Sequence, residues 1–202
     1  MSLIIKTFRE PPLDNNNYVV IEPISHEAIL IDCSAPDRTI MDYIQTQNAH
    51  LSYILITHTH FDHILGIEEM TKAYQVPAYA HPADFPLLRD MNNWISHFMG
   101  FPPVNIPEIK PLPDRLKIGN IPIQVIETAG HTPGGVCYLI EDHLFSGDTL
   151  FKGTYGRVDI PMSNPADMRD SLGRLMHLPP ETSVYPGHGH PTTIGAEQGK
   201  YE

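Results

Sequence analysis

The chain has 202 residues, of which 41% are hydrophobic and 18% charged, and its formal net charge is −11 at pH 7. This composition is typical of a globular protein rather than a disordered one, and the length allows one large α/β domain or two small ones. The acidic excess disfavours a nucleic acid as the partner, because proteins that bind the phosphate backbone usually carry basic stripes.

The first part of the chain predicts strands that alternate with helices. Pro36 to Ala49 is predicted as a helix, since Pro36 suits a first helical turn in which a backbone N–H is not needed. Such alternation indicates crossover connections and parallel strand pairing. The other predicted elements are strands at residues 3–8, 18–24, 27–32, 51–56 and 76–80 and a helix at 64–75.

Residues 82–113 interrupt this pattern. They combine large apolar side chains with a high proline content, which argues against regular secondary structure. The segment is predicted to be a loop that covers the core, and a lid over the substrate is the alternative.

The remainder of the chain is predicted to be mostly strands. Asn164 to His177 forms the predicted helix of this part, with Asn164 as its N-cap and Pro165 in its first position. Two halves of this kind fit two sheets that pack face to face with helices on the outside. The predicted strands lie near residues 115–118, 121–128, 135–140 and 143–146 and from Thr182 to Tyr185.

The N-terminus and the cysteines predict a cytoplasmic protein. The N-terminus lacks the long apolar region of a signal peptide, and no segment approaches transmembrane length, so no membrane partner is expected. Cys33 and Cys137 lie in or beside apolar runs without CxxC spacing, which indicates reduced core residues. The sequence leaves the oligomeric state open.

Residues 57–63, with the sequence THTHFDH, place three imidazoles and a carboxylate directly after a predicted buried strand. Side chains two residues apart in extended backbone point to the same side, so His58 and His60 can bind one ion. We expect Asp62 to continue this alternation, and His63 to point elsewhere as the next helix begins. The turn can therefore serve two adjacent cations, with Asp62 and His63 on the second.

Three further polar residues follow predicted strands and are bracketed by glycine or lie beside it. They are His131 in GHTPGG, Asp148 in SGDT and His188 in GHG. Loops from distant parts of a chain meet at strand ends in layered α/β folds, and glycine lets the backbone approach an ion closely. Together with residues 57–63, these residues predict a metal centre.

The segments THTHFDH, GHTPGG, SGDTLF and YPGHGHPTTIG, in this order, resemble the metallo-β-lactamase superfamily and, within it, the glyoxalase II (hydroxyacylglutathione hydrolase) group. The resemblance covers nearly the whole chain and implies one domain over residues 1–202, an α/β fold built as a four-layer αββα sandwich. It implies a dinuclear site at the edge of the two sheets, with Asp148 bridging the metals. The implied ligands are His58, His60 and His131 for one metal and Asp62, His63 and His188 for the other.

Such a ligand set fits a two-metal hydrolase in which the cations lower the pKa of a shared water, and a metal-bridging hydroxide attacks the substrate. Asp62 and Asp148 are accordingly the candidate catalytic residues. Ligation by nitrogen and oxygen without cysteine fits zinc, iron or manganese, and zinc is the expected metal.

A thioester such as an S-2-hydroxyacylglutathione is the predicted substrate, because a thiolate can leave without a strong general acid. In glyoxalase II enzymes a basic residue at the position of Arg157 contacts glutathione, whereas Asp159 stands where many of them carry an aromatic residue. An ion pair between Arg157 and Asp159 is the alternative. Lys152 and Tyr155 are the other candidate substrate contacts. The chain resembles the short glyoxalase II-like hydrolases, because it lacks the helical C-terminal domain of full-length enzymes.

Other activities are known for the same fold. A persulfide dioxygenase shares HxHxDH but uses a single iron, and the complete second ligand set, including His188, argues against it. Class B β-lactamases usually carry Cys or Ser at the position of Asp148. The acidic charge disfavours an RNase Z-like nuclease, and a lactonase remains an open alternative.

Overall fold

The computed structural model describes residues 2–35, 38–96, 100 and 108–201. The first of two large sheets consists of six strands: β1 (Ile4–Glu10), β2 (Asn15–Glu22), β3 (Glu27–Ile31), β4 (His50–Leu55), β5 (Ala78–Ala80) and β6 (Lys110–Pro111). The strands lie in this order across the sheet. β1, β2 and β3 are antiparallel neighbours, whereas β4, β5 and β6 each join in parallel. The predicted parallel pairing is therefore confirmed.

The second sheet also has six strands: β7 (Leu116–Ile118), β8 (Ile121–Glu127), β9 (Val136–Ile140), β10 (His143–Gly147), β13 (Ser183–Pro186) and β14 (Thr192–Thr193). Their order is β14-β13-β10-β9-β8-β7, and β10 pairs with β13 in parallel. A separate hairpin of β11 (Leu150–Phe151) and β12 (Thr154–Tyr155) follows β10 along the chain. The hairpin and β14 were not predicted, because strands of two residues carry no periodic pattern.

The helices are α1 (Arg38–Thr46), α2 (Phe61–Ile64), α3 (Ile67–Tyr74), α4 (Phe85–Trp94), α5 (Pro165–Leu175) and α6 (Ile194–Glu197). The predicted start of α1 at Pro36 lies outside the described residues. The cap of α5 is as predicted, since Asn164 Oδ1 accepts hydrogen bonds from the backbone N–H groups of Ala166 and Asp167. Within the described ranges, no helix is both long and apolar enough to cross a membrane.

Three buried clusters define four layers. Every residue of β2 is buried, because its alternate side chains enter different clusters. Tyr18 and Val20 pack between the two sheets, whereas Val19 and Ile21 pack on the other side of β2 in a cluster with residues of α1, α3 and α4. A third cluster joins the outer face of the second sheet to α5 and α6. This arrangement confirms the predicted αββα sandwich.

The prediction that residues 82–113 lack regular structure is wrong for their first part. A 3₁₀ turn at Pro82–Asp84 leads directly into α4. Pro82 and Pro86 both occupy early helical positions, where the missing N–H costs little. α4 buries Leu87 and Met91 in the core beside the first sheet, so this part of the segment is a cover. Residues 97–99 and 101–107, which the lid alternative includes, lie outside the described residues.

The helix predicted at 64–75 is two helices, and the first of them begins at Phe61. Asp62 therefore lies in a helical turn, and the expected extended alternation ends at His60. The break falls at Gly66, whose backbone N–H donates to the Cys33 carbonyl at 2.9 Å. A Cβ at Gly66 would lie only 2.3 Å from the Ala35 oxygen, so this close packing requires glycine.

Replacing Asn164 by alanine removes the side-chain acceptor that caps α5. We expect the free energy of unfolding to fall by about 1 kcal/mol, measured by urea denaturation. Asn164→Asp keeps the acceptor and serves as the matched control with near wild-type stability. Equal stability of the alanine variant and the wild-type protein would show that the cap contributes nothing.

Candidate metal centre

Four ligand-bearing loops meet at one edge of the two sheets, and backbone hydrogen bonds join them. The loop after β4 accepts from the second sheet, since Val136 N donates to the Thr57 oxygen at 2.9 Å. The loops after β10 and β13 are joined by Gly187 N and the Gly147 oxygen at 2.8 Å. Because β10 and β13 are parallel neighbours, their C-terminal ends place Asp148 and His188 side by side.

His58, His60 and His131 form the first group of candidate ligands, called here trio A. One ring nitrogen from each residue lies within 4.8 Å of the others. His60 Nδ1 and His131 Nε2 are 2.9 Å apart. All three side chains are buried. The structure therefore brings these three predicted ligands together.

Asp62, His63 and His188 form the second group, called trio B, whose ligand atoms also lie within 4.8 Å of one another. Asp62 Oδ2 is 3.7 Å from His63 Nε2 and 3.5 Å from His188 Nε2. Asp62 and His63 are buried in α2, and His188 is half-buried.

Asp148 lies between the two trios. Its Oδ2 atom is 3.5 Å from His131 Nε2 of trio A and 3.5 Å from His188 Nε2 of trio B. Its Oδ1 atom is 3.5 Å from His63 Nε2. One carboxylate thus faces ligand atoms of both trios, which is the position that a bridging ligand requires.

Three buried ligand atoms at this centre lack a hydrogen-bond partner in the described part of the protein. Among the described residues, His58 Nε2, His63 Nε2 and Asp148 Oδ1 are buried without a hydrogen-bond partner. Buried polar atoms are nearly always hydrogen-bonded, so three orphans at one point need an explanation. Divalent cations satisfy all of them, and the donor set of imidazole and carboxylate suits such ions.

Asp32 holds His63 and the first loop in place, and the sequence analysis missed it. Its Oδ2 atom is 2.9 Å from His63 Nδ1, which leaves His63 Nε2 facing the centre. The same carboxylate accepts from Thr57 N and Thr57 Oγ1, each at 2.8 Å. A carboxylate that orients a histidine ligand fixes the tautomer of the ring and increases its basicity. Asp32 follows the buried strand β3, which is the same strand-end signal that located the other loops.

Other groups orient the remaining ligands. Asn15 Nδ2 donates to Asp62 Oδ2 at 2.9 Å and lies 3.4 Å from His188 Nε2. His131 Nδ1 is 2.8 Å from the backbone oxygen of Arg157, so its Nε2 atom is free to face the centre. Asn15 begins a run of three asparagines that are all buried, whereas asparagine is mostly exposed in proteins.

The electric field of the centre favours positive charge around trio B. Burial lowers the pKa of His63, but Asp32, Asp62 and Asp148 outweigh it and raise the pKa to about 10. Burial, together with neighbouring His131, lowers the pKa of His60 to about 3, so this ring is neutral and able to bind a metal. The carboxylates that would stabilise a protonated His63 would equally stabilise a divalent cation.

Glycines allow the close approach of the ligand loops. A Cβ at Gly187 would lie 2.3 Å from Asp148 Oδ1, inside the volume of the shared carboxylate. Gly147 has a φ of +49°, and a Cβ there would lie 2.5 Å from Thr57 Oγ1. Larger residues at either position would displace Asp148 or the first loop.

The predicted substrate contacts do not join this cluster. Arg157 forms an ion pair with Asp159, at 2.8 Å between Nε and Oδ1 and 3.0 Å between Nη2 and Oδ2. This is the alternative that the sequence left open for Arg157. Lys152 and Tyr155 are exposed, and Tyr155 lines a cleft of about 270 Å³ on the side of α5.

Comparison with known proteins places these observations in a family. The family described as "Metallo-beta-lactamase superfamily" matches residues 11–188. The chain is 34% identical to the probable polyketide biosynthesis zinc-dependent hydrolase BaeB of Bacillus velezensis, over 91% of this chain and 76% of BaeB. It is 33% identical to the hydroxyacylglutathione hydrolase of Shewanella sp. (strain ANA-3), over 86% of this chain and 62% of that enzyme.

Two solved structures are similar over nearly the whole chain. The BLEG-1 B3 metallo-β-lactamase superposes with a TM-score of 0.87 at 30% identity and covers 96% of both chains. TTHA1623 in a di-iron-bound form superposes with a TM-score of 0.83 at 33% identity and covers 95% of this chain and 96% of its own. Proteins of similar fold and sequence thus include a β-lactamase and a di-iron protein.

Metal binding should stabilise the protein, because it satisfies the orphaned atoms of the centre. Zinc at 100 times its dissociation constant contributes about 2.7 kcal/mol, which corresponds to a rise in melting temperature of about 5–10 °C for a chain of this size. Thermal denaturation of chelator-treated protein, with and without zinc, measures this. Calcium, which prefers oxygen ligands, is the control and should have little effect. A melting temperature that zinc leaves unchanged would contradict a metal centre here.

Proposed function

We propose that this chain, which belongs to the metallo-β-lactamase superfamily, is a two-metal hydrolase of the glyoxalase II type that cleaves a thioester such as an S-2-hydroxyacylglutathione. The observation that carries this proposal is the position of Asp148, which faces ligand atoms of both trios. A single-metal enzyme needs only one complete trio, whereas two trios around one shared carboxylate suit two cations.

In this proposal trio A would hold one cation and trio B the other, and Asp148 would supply a carboxylate to both. When bound, the cations would lower the pKa of a shared water and stabilise the negative charge that develops on the substrate. Asp32 and Asn15 keep the ligand atoms of trio B aimed at the centre. Asp62 and Asp148 supply two negative charges that balance part of the metal charge, so the site stays positive within a chain of net charge −11.

Zinc is the proposed metal, with iron as the alternative. The name of BaeB specifies zinc, whereas TTHA1623 was solved with two irons, at similar identities of 34% and 33%. The ligands in both trios are nitrogen and oxygen atoms, and such sites accept either metal.

A thioester suits this site because its leaving group is a thiolate. Asn15, Asp32 and Thr57 are committed to hydrogen bonds with the ligands or with one another. None of them is placed to protonate a leaving group. A thiol has a pKa near 8.5, so it can leave as the anion at neutral pH without such an acid. The similarity to a hydroxyacylglutathione hydrolase supports this substrate class.

The ion pair of Arg157 with Asp159 affects how the thiol part of the substrate would bind. Both side chains are exposed, and Asp159 occupies both ends of the guanidinium fork of Arg157. An anionic glutathione must compete with Asp159 for Arg157, which weakens this contact. We therefore propose that Arg157 contacts the thiol part, and that Asp159 limits how strongly it binds an anion.

Replacing Asp148 by alanine tests the two-metal site. We expect turnover to fall by at least about 100-fold, and metal content to fall from two ions per chain toward one, because loss of a group that only orients a ligand already costs about 10–100-fold. Elemental analysis and a thioesterase assay measure the two effects. The two-metal proposal fails if both quantities stay at the wild-type level.

Replacing Asp159 by asparagine tests the role of Arg157. An exposed ion pair is weak, so freeing Arg157 should lower KM for a glutathione thioester by only about one and a half- to fivefold, with little change in kcat. Asp170→Asn, which removes an exposed carboxylate of α5, is the matched control for net charge. A KM that changes equally in both variants would assign the effect to overall charge and not to Arg157.

A substrate panel tests the reaction type. Thiol release from glutathione thioesters with about two metals per chain is the expected result. Oxygen uptake with glutathione persulfide and a single iron would instead identify a dioxygenase. Hydrolysis of a β-lactam or a lactone without thioester turnover would keep the metal centre and reject the proposed substrate.

A further inference from the structure

We propose that Asp84 is the positioning residue for trio A and that it acts on this trio selectively. This role rests on the proposed two-metal hydrolase. Asp84 lies outside the ligand motifs. The proposal predicts that Asp84 supports trio A but makes no contact with the residues that support trio B, so that the first site can be weakened while the second is kept.

Asp84 lies in the helical part of residues 82–113, which covers the core. It ends the 3₁₀ turn Pro82–Asp84 and directly precedes α4. The residue is completely buried, with 0% of its surface exposed. Burial raises the pKa of the Asp84 carboxyl, and hydrogen bonds from Gly134, Thr59 and Thr132 partly offset this effect. Burying a carboxyl group is unfavourable unless hydrogen-bond donors surround it. The donors around Asp84 therefore show which parts of the chain it connects.

All of these donors lie in the two loops that carry trio A. Asp84 Oδ2 accepts from Thr59 N and from Thr132 Oγ1, each at 3.0 Å. Asp84 Oδ1 accepts from Gly134 N at 2.5 Å. Thr59 stands between His58 and His60 in the chain, and Thr132 directly follows His131. One carboxylate therefore binds a residue next to each of the three ligands, through the backbone of Thr59 and the hydroxyl of Thr132.

The loop that carries His131 has room for this carboxylate because residue 134 is glycine. A Cβ at Gly134 would lie 2.7 Å from Asp84 N and 2.8 Å from Asp84 Oδ1. Thr59 Oγ1 also donates to the backbone oxygen of Asp84 at 3.2 Å, so the contact involves main chain as well as side chain. The fit leaves little freedom for the two loops to move apart.

Trio B is supported by other residues. Asn15 donates to Asp62, and Asp32 is bonded to His63. The loop of His188 is held by Asn16, whose Nδ2 atom donates to the oxygens of Pro186 and Gly189 at 3.0 Å. None of these contacts passes through Asp84. Loss of the Asp84 carboxylate should therefore loosen trio A first.

Asp84→Asn is the discriminating substitution because it keeps the shape of the side chain. An amide offers one acceptor oxygen, and its NH₂ group must face one of the donors that Asp84 receives. Two facing donors repel each other, and the buried N–H of Thr59 or Gly134 loses its partner. The substitution therefore weakens the connection between the two loops without creating a cavity.

The experiment is calorimetric titration of metal-free protein with zinc in the presence of a competing chelator. His131→Ala and His188→Ala identify which binding event belongs to trio A and which to trio B. We expect Asp84→Asn to weaken the trio A event by about 10–100-fold, as is usual when a group that orients metal ligands is lost, and to change the trio B event much less.

Glu197→Gln is the matched control. Glu197 is equally buried and also accepts from a backbone N–H and a threonine hydroxyl, those of Gly153 at 3.0 Å and Thr192 at 2.7 Å. Its partners lie outside the loops of trio A. We expect this variant to lower the melting temperature of the metal-free protein without a selective change in zinc affinity.

Thr132 supplies a second, milder pair of variants in case Asp84→Asn does not fold. Thr132→Val removes the hydroxyl that donates to Asp84, whereas Thr132→Ser keeps it. Valine should weaken the trio A event, and serine should restore it toward wild type.

The outcomes separate the two proposals. If wild-type protein binds only one zinc, the two-metal hydrolase is rejected. If it binds two, and Asp84→Asn weakens both events equally or neither of them, the selective role of Asp84 is rejected while the hydrolase stands. A Thr132→Val variant with wild-type affinity at trio A would also overturn the role of Asp84.

Discussion

Hydrogen bonds from buried side chains to the ligand loops are the constraint on which the candidate metal centre depends. Five imidazoles and two carboxylates converge at one edge of the sheets, and several of their atoms have no protein partner there. Such a cluster is unfavourable alone, because buried polar groups without partners each cost about 1–3 kcal/mol. Asp32, Asn15 and Asp84 hold the ligand loops in place, and the carboxylates of Asp32 and Asp84 are themselves satisfied by the loops that they fix.

Much of this site could be predicted because its ligands follow strands directly. A polar residue after an apolar run located His131, Asp148 and His188, and the fold then brought them together as expected. The same signal marked Asp32 after β3, but its role depends on a hydrogen bond to His63, 31 positions away in the chain. The sequence identifies residues that are able to bind a metal or accept a hydrogen bond. Contacts between distant parts of the chain determine which partners they have.

The role of Asp84 is even harder to predict than that of Asp32. Its donors lie 25, 48 and 50 positions away, and nothing in the surrounding sequence distinguishes it from an ordinary residue at a helix start. The first part of residues 82–113 is also helical against the prediction, because the proline content of a whole segment does not show where each proline lies within an element. Pro82 and Pro86 begin helices, where proline is favourable, and only position within the element reveals this.

The bond between His131 and Arg157 uses the backbone oxygen of Arg157 and not its side chain. Any residue at position 157 offers the same carbonyl, so the histidine keeps its orientation whatever side chain stands there. In the proposed hydrolase, mutations at 157 and 159 would therefore change the substrate contacts while His131 keeps its orientation. A site arranged in this way can change its substrate through few substitutions. Proteins similar to this chain carry the names of different hydrolases.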